Sequence, residues 1–226
     1  MARHFDRELQ KIQNLILSQF AIVEKMIDDS VRALVDHRID LANDVIQTDL
    51  DVNNQEVIIE EECLKILALH QPVARNLRRV TTVLKINSDL ERIADLACNV
   101  AERALALNEF PYFPIPDLLP QMATDAVEMV RESINAYVEL DTAIAQKVIA
   151  ADQKVDIANR EVIKELRELM IQDSNQVIPA LQCFSASRHL ERIGDHAENI
   201  AEDVIYMVSG EIIRHQHDQL SEEVEN

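Results

Sequence analysis

The sequence predicts an all-α protein of two similar three-helix bundles, six helices in all, and three observations carry that prediction. The chain is written twice: Leu90-Glu91-Arg92-Ile93-Ala94-Asp95 returns as Leu190-Glu191-Arg192-Ile193-Gly194-Asp195, and the match runs on through Asn99/Asn199, Ala101/Ala201 and Glu102/Glu202, all offset by 100 residues. Upstream the offset becomes 103, with Val45, Val52, Ile59 and Ile66 answering Val148, Val155, Val162 and Leu169. Such a period is too long for a solenoid, whose repeats run about 20–50 residues, and it suits a duplicated domain. The third observation is the scarcity of glycine. Average usage would give roughly 7% Gly, yet only Gly194 and Gly210 occur, and hairpins and tight turns need residues that accept positive φ.

Each element then has its own signal. Leu15, Val23, Met26, Ile27, Val31 and Leu34 recur at helical spacing in a first helix over Arg3 to Val35, and Asp36-His37-Arg38-Ile39-Asp40 breaks the pattern. A second helix is expected from about Leu41 to Leu69. His70-Gln71-Pro72 ends it and opens the third, because proline's missing N–H has no intrahelical partner in a first turn. In the third helix Ile86, Leu90, Ile93, Ala97, Val100, Ala104 and Leu107 alternate spacings of four and three, the seam of left-handed helix packing. It ends near Asn108. Four of the six prolines follow in Phe110-Pro111-Tyr112-Phe113-Pro114-Ile115-Pro116-Asp117-Leu118-Leu119-Pro120, where no continuous helix is possible.

This segment reads as an ordered connector, its aromatics packed on one bundle, between two units with their own cores. The division is residues 1–109, a connector at 110–119, a second bundle at 120–210 and a polar, acidic tail at 211–226. The second half repeats the plan, with helices at about 120–139, 142–171 and 175–209. Asp173-Ser174-Asn175 starts the last of these and Gly210 ends it.

Composition narrows the function. A formal charge of −19 argues against a nucleic-acid backbone as partner, since affinity there comes from Lys and Arg, and it favours cations or basic protein surfaces. No apolar run approaches the roughly 20 residues of a spanning helix, so no direct membrane insertion is expected. The opening Met1-Ala2-Arg3-His4-Phe5-Asp6-Arg7-Glu8 lacks the apolar stretch of a signal peptide, which predicts a cytoplasmic protein. Cys63, Cys98 and Cys183 form no C-x-x-C and read as small core or near-core residues.

One repeated polar pattern is not required by packing. With Leu90 at heptad position a and Ile93 at d, Glu91 falls at b, Asp95 at f, Asn99 at c and Glu102 at f, all opposite the seam and so facing outward. The sixth helix treats Glu191, Asp195, Asn199 and Glu202 alike. A solvated face is the ordinary explanation of a lone Glu-x-x-x-Asp. Like charges at i,i+4 repel by about 0.2–0.5 kcal/mol, however, so selection for stability alone would not repeat them. Neighbouring helices repeat acids too: Asp49 and Asn53 answer Asp152 and Asp156, and Asp29 answers Glu132.

Side-by-side packing would gather these groups into oxygen-rich patches suited to Mg²⁺, Mn²⁺ or iron. The metal-ligand set is therefore Asp49, Asn53, Glu91, Asp95 and Asn99 in the first half, and Asp152, Asp156, Glu191, Asp195 and Asn199 in the second. No Glu-x-x-His, H-E-x-x-H or phosphate-cradling Gly-rich loop occurs, and no organic cofactor or catalytic residue is expected. His196 and the His215/His217 pair read as exposed helical or tail histidines. Arg78, Arg79, Arg188 and Arg192 read as ion-pairing partners of nearby acids.

Over residues 5 to 216 the chain resembles the PhoU regulators of phosphate uptake and signalling. The likeness rests on Asp49-x-x-x-Asn53, on Gln71-Pro72-Val73-Ala74-Arg75-Asn76-Leu77-Arg78-Arg79-Val80, on Leu90 to Asp95, and on Asp152-x-x-x-Asp156. It continues through Leu190-Glu191-Arg192-Ile193-Gly194-Asp195-His196-Ala197-Glu198-Asn199-Ile200-Ala201-Glu202 and closes with Gly210-Glu211 and Arg214-His215. The resemblance implies two three-helix bundles whose acidic motifs hold metal clusters in some members.

It also implies a non-enzymatic negative regulator of the phosphate-starvation response, an adaptor between the ATPase of a Pst-type phosphate ABC transporter and a PhoR-type sensor histidine kinase. A homodimer is expected. Asn76 stands where the family commonly has an acid, and Ala94 where it has Gly. Two other readings remain open from the residues: a metal-storage or metal-dependent protein using the acidic patches, and a purely structural helical scaffold.

Overall fold

A computed structural model describes residues 2–213, and the sequence-predicted tail, with Arg214, His215 and His217, lies outside them from residue 214 onward. Six long helices account for almost all of it: α1 Ala2–Val35, α2 Ile39–His70, α3 Ala74–Leu107, α4 Leu118–Glu139, α5 Thr142–Gln172 and α6 Val177–Ser209. α1, α2 and α3 pack together as one three-helix unit, and α4, α5 and α6 as its repeat. The all-α duplicated bundle is as the sequence predicts. No helix among the described residues is long and apolar enough to cross a membrane.

The helix ends follow local chemistry. Asp141 caps α5, its carboxylate accepting from Ala143 N at 2.7 Å and Ile144 N at 3.3 Å. Gly210 ends α6 in the left-handed region at φ 83°, its N–H donating to Tyr206 O at 2.9 Å. Four helix starts differ from expectation: α2 begins at Ile39 rather than Leu41, α3 at Ala74 after Pro72 rather than with it, α4 at Leu118 with Pro120 in its first turn, and α6 later than 175. Asp173 accepts from Asn175 N at 2.9 Å and holds Ser174–Gln176 in one 3₁₀ turn, so the α-helix begins at Val177 rather than 175. Scarce glycine did not forbid positive φ either: His37, Gln71, Ala74 and Leu140 adopt it at φ 54°, 45°, 48° and 57°, all at helix junctions.

Burial is uneven among the helices. α3 buries fourteen residues and α6 sixteen, whereas α2 buries six and α5 seven. The cause is that α3 and α6 also pack on each other, and α1 on α4. The expectation of two separate cores is therefore corrected: the buried apolar residues of both halves form one continuous cluster. Two polar pairs cross the same seam, Lys85 Nζ to Asp203 Oδ1 at 3.0 Å and His196 Nδ1 to Asp89 Oδ1 at 2.9 Å. His196 is thus half-buried between α6 and α3, not an exposed helical histidine.

The proline-rich segment is ordered onto this core, with Phe113 buried, Phe110 and Ile115 partly so, and Tyr112 in solvent. Cys63 and Cys183 are buried and Cys98 half-buried, all as free thiols.

Candidate metal centre

Asp49 and Asn53 lie one turn apart on α2, and Asn53 Nδ2 donates to Asp49 Oδ2 at 2.9 Å. Glu91 and Asp95, one turn apart on α3, face them across the groove. The charge of Asp95 adds to burial in raising the Asp49 carboxyl above its ordinary range, and Glu91 is raised by burial, by Asp95, and by Glu56 and Asp49. Asn99 sits on the same face, but its amide nitrogen donates to the Asp95 carbonyl at 2.8 Å, leaving only its oxygen for an ion.

The second half builds the counterpart from α5 and α6. Asp152, Asp156, Glu191 and Asp195 face one another, and Asn199 is half-buried further along α6. Burial first, then Asp195, Asp156 and Glu191, push Asp152 up to about 6. Glu191 is raised by burial and Asp195, and Asp195 by burial and Asp156.

The heptad-wheel reading holds in part: Asp195 and Glu102 are exposed and the Asp95 side chain is 39% exposed, but Glu91 and Glu191 turn into the groove. The side chains of Glu91 and Glu191 keep only 16% and 13% of their exposure. A wheel assumes one partner per helix, whereas α3 and α6 each have several, so position b looks into the groove toward α2 or α5. Asp29 does not join them: it lines the α1–α2 groove, paired with Lys25 at 3.2 Å and Arg32 at 3.3 Å. Of the four arginines expected to pair with acids, Arg188 does so, with Glu191 at 2.5 Å; Arg92, which was not among them, pairs with Asp95 at 3.2 Å.

A fifth acid of the second cluster was missed. Glu198 sits one turn beyond Asp195 and is pushed up to about 7, by burial and then by Asp152, Glu202, Asp195 and Asp156. Its counterpart at the 100-residue offset is Cys98, so a search for repeated acids passes over it. Cys98 itself borders the first cluster, its thiol pushed up to about 12 by burial and the nearby Asp49 charge.

Two further observations bear on whether a cation fits. Asp49 Oδ1, Asp152 Oδ1 and Glu191 Oε2 are buried without a hydrogen-bond partner, a costly state for a carboxylate oxygen. At Gly194 a Cβ would stand 3.3 Å from Asp152 Oδ1, so glycine leaves this carboxylate room where Ala94 carries a methyl in the first half. An all-oxygen donor set with orphaned lone pairs fits Mg²⁺, Mn²⁺ or iron. Among the described residues, neither groove brings three His, Cys, Asp or Glu donor atoms within 4.8 Å of one another. Among the described residues, the trio that does is His4, Glu8 and His70, at the other end of α2.

The match to known proteins spans the fold and both grooves. The PhoU domain matches the chain twice, over residues 16–104 and 119–204. The chain is 38% identical, over its full length and 94% of the relative, to the phosphate-specific transport system accessory protein PhoU homolog of Pseudomonas aeruginosa. It is 32% identical to phosphate-specific transport system accessory protein PhoU of Escherichia coli, over 93% of this chain and 88% of that one.

Among solved structures, the crystal structure of PhoU from Pseudomonas aeruginosa superposes with a TM-score of 0.89 at 38% identity, covering 92% of this chain and all of that one. The phosphate transport system regulatory protein PhoU from Streptococcus pneumoniae gives 0.86 at 26% identity, over 92% and 98% of the two chains. A domain found in both halves, relatives that match nearly end to end and a shared architecture have one consequence: the chain belongs to the PhoU family.

Proposed function

We propose that this chain is a negative regulator of phosphate uptake and of the phosphate-starvation response, acting by protein contact from the cytoplasmic side. Its partners in this reading are the ATPase of a phosphate ABC transporter and a sensor histidine kinase. The observation that carries it is the near end-to-end likeness to accessory proteins of the phosphate-specific transport system. The negative charge and the long helical faces suit a docking adaptor.

A homodimer belongs to the same reading. Ile39, Ile46, Leu50, Val57 and Leu64 form an exposed apolar stripe at close to heptad spacing on α2, which suits helix-on-helix association. In phosphate-replete cells, capture of the protein should bring down the transporter ATPase or the kinase. Deletion of its gene should raise alkaline phosphatase in phosphate-rich medium. Unchanged phosphatase output in the deletion strain removes the adaptor.

Within this reading the two grooves hold Mn²⁺, iron or Mg²⁺ as a structural or sensing element. Asp49, Glu91 and Asp95 would hold the ion in one half, and Asp152, Asp156, Glu191, Asp195 and Glu198 in the other. The partnerless buried oxygens of Asp49, Asp152 and Glu191 also support a second reading, a metal-storage or metal-dependent protein. Redox cycling of bound iron, or turnover of phosphate compounds, by the purified protein would favour that reading over the adaptor.

A further inference from the structure

From the meeting of His4, Glu8 and His70 we infer a transition-metal site that clips the first turns of α1 to the end of α2. It is separate from the carboxylate grooves and does not rest on the proposed function. His4 and Glu8 are four residues apart and therefore share one face of α1. His70 is the last residue of α2, and antiparallel packing brings it across to them. The three contribute donor atoms that all lie within 4.8 Å of one another.

The Glu8 carboxylate lies between two imidazoles and turns a different oxygen to each. His4 Nε2 stands 3.5 Å from Oε1, and His70 Nε2 contacts Oε2 closely. The rings meet edge to face, His4 on His70 at 5.8 Å and Phe5 on His70 at 5.4 Å between centroids, so His70 is held on two sides. One turn further into the bundle Lys11 pairs with Glu62 at 2.6 Å, which fixes the two helices in register below the cluster.

A Glu8–His70 ion pair alone explains part of this arrangement. His4 adds an i,i+4 contact of its own, so that two imidazole nitrogens are aimed at one carboxylate. Two imidazoles and a carboxylate are the donors of three-ligand zinc sites, which leave the fourth position to water. Bonds of about 2.0–2.2 Å place such donors roughly 3.3 Å apart, so the side chains need close by about 1.5 Å at most. Nitrogen donors select Zn²⁺, Co²⁺ or Fe²⁺ over Mg²⁺. The ion would hold α1 beside Gln71, whose left-handed backbone turns the chain toward Pro72 and α3.

The test uses full-length, untagged protein stripped with chelator and titrated with Co²⁺, whose visible absorption reports four-coordinate nitrogen and oxygen ligation. One equivalent should bind, and Zn²⁺ should displace it. His70→Gln and the exposed His4→Gln should each weaken Co²⁺ binding by about tenfold or more, since changes even outside the ligand set cost about 10–100-fold. Circular dichroism confirms that both variants remain folded. Asp152→Asn with Asp195→Asn, and His215→Gln with His217→Gln, should leave the absorption unchanged. Absence of the Co²⁺ absorption overturns the site. So does a signal that survives His4→Gln and His70→Gln, or one lost with the groove acids or the tail histidines.

Discussion

At the scale of single residues the second groove stores like charge, and its protonation should couple to folding. Asp152 and Glu198 rise from 3.8 and 4.5 to about 6 and about 7, mainly because burial disfavours their charged forms and neighbouring carboxylates add repulsion. Between roughly pH 4 and pH 7 the folded protein therefore binds more protons at these sites than the unfolded chain. Their stabilising contribution is present at the acid end of that window and is lost as pH rises through the folded values. In chelator-treated protein the melting temperature should thus fall as pH is raised from about 5 to about 7.5, and Asp152→Asn with Glu198→Gln should flatten that slope. An unchanged slope in the double variant would show that these carboxyls are solvated after all.

A cation reverses the same electrostatics, because it turns mutual repulsion into shared attraction. At 100 times its Kd a ligand of the folded state adds about 2.7 kcal/mol. Mg²⁺ is the cleanest probe, since it prefers oxygen and ignores imidazole. It should raise the melting temperature at neutral pH, and Asp95→Asn with Asp195→Asn should remove most of the increment while leaving the metal-free melt little changed or higher. The second groove should bind more tightly, having Asp156, Glu198 and Gly194 where the first has Asn53, Cys98 and Ala94. If Mg²⁺, Mn²⁺ and iron all leave the melt unmoved and elemental analysis finds none bound, the groove sites are abandoned.

At the scale of elements, stability at the junctions rests on a few caps and a few strained turns. Asp141 satisfies two of the open N–H groups of α5, so Asp141→Ala should cost about 1 kcal/mol in chemical denaturation. Gln71 is exposed and left-handed at φ 45°. A non-glycine residue there loses about 1–2 kcal/mol against a right-handed one, and Gln71→Gly should raise the denaturation midpoint, offset in part by the added freedom of the unfolded chain. A lower midpoint would mean that the Gln71 side chain contributes more than its backbone costs.

The same junctions show what sequence makes legible. The heptad seams place all six helices and most of their ends, because apolar spacing directly encodes one buried face, while four starts differ by about two residues. The start of α6 slips by two residues because Asp173 caps a 3₁₀ turn, which spacing does not distinguish from a first α-turn. The acids of the two grooves were readable as repeats, but the direction of Glu91 and Glu191 was not, since a b position faces outward only in a helix with one neighbour. His70 was unreadable as a partner of His4 and Glu8, because only the antiparallel packing of α1 on α2 brings it across 62 positions of sequence.

At the scale of the whole molecule, duplication did not leave two independent halves. α3 and α6 carry the largest buried sets because each faces both its own bundle and the other. The proline-rich connector adds Phe113 to the shared core, and Lys85–Asp203 and His196–Asp89 span the seam. With one continuous core, loss of either bundle would expose apolar surface on the other, so the free energies of the halves are coupled. The metal-free protein should unfold in a single calorimetric transition whose van't Hoff and calorimetric enthalpies agree. Ala197 is fully buried on the α6 seam, and Ala197→Leu overpacks it at a cost of about 1–3 kcal/mol. In the coupled molecule that variant should shift the entire helical melt to lower temperature without splitting it. A melt in which half of the helical signal keeps the wild-type midpoint would mean that the bundles fold separately and that the α3–α6 seam contributes little.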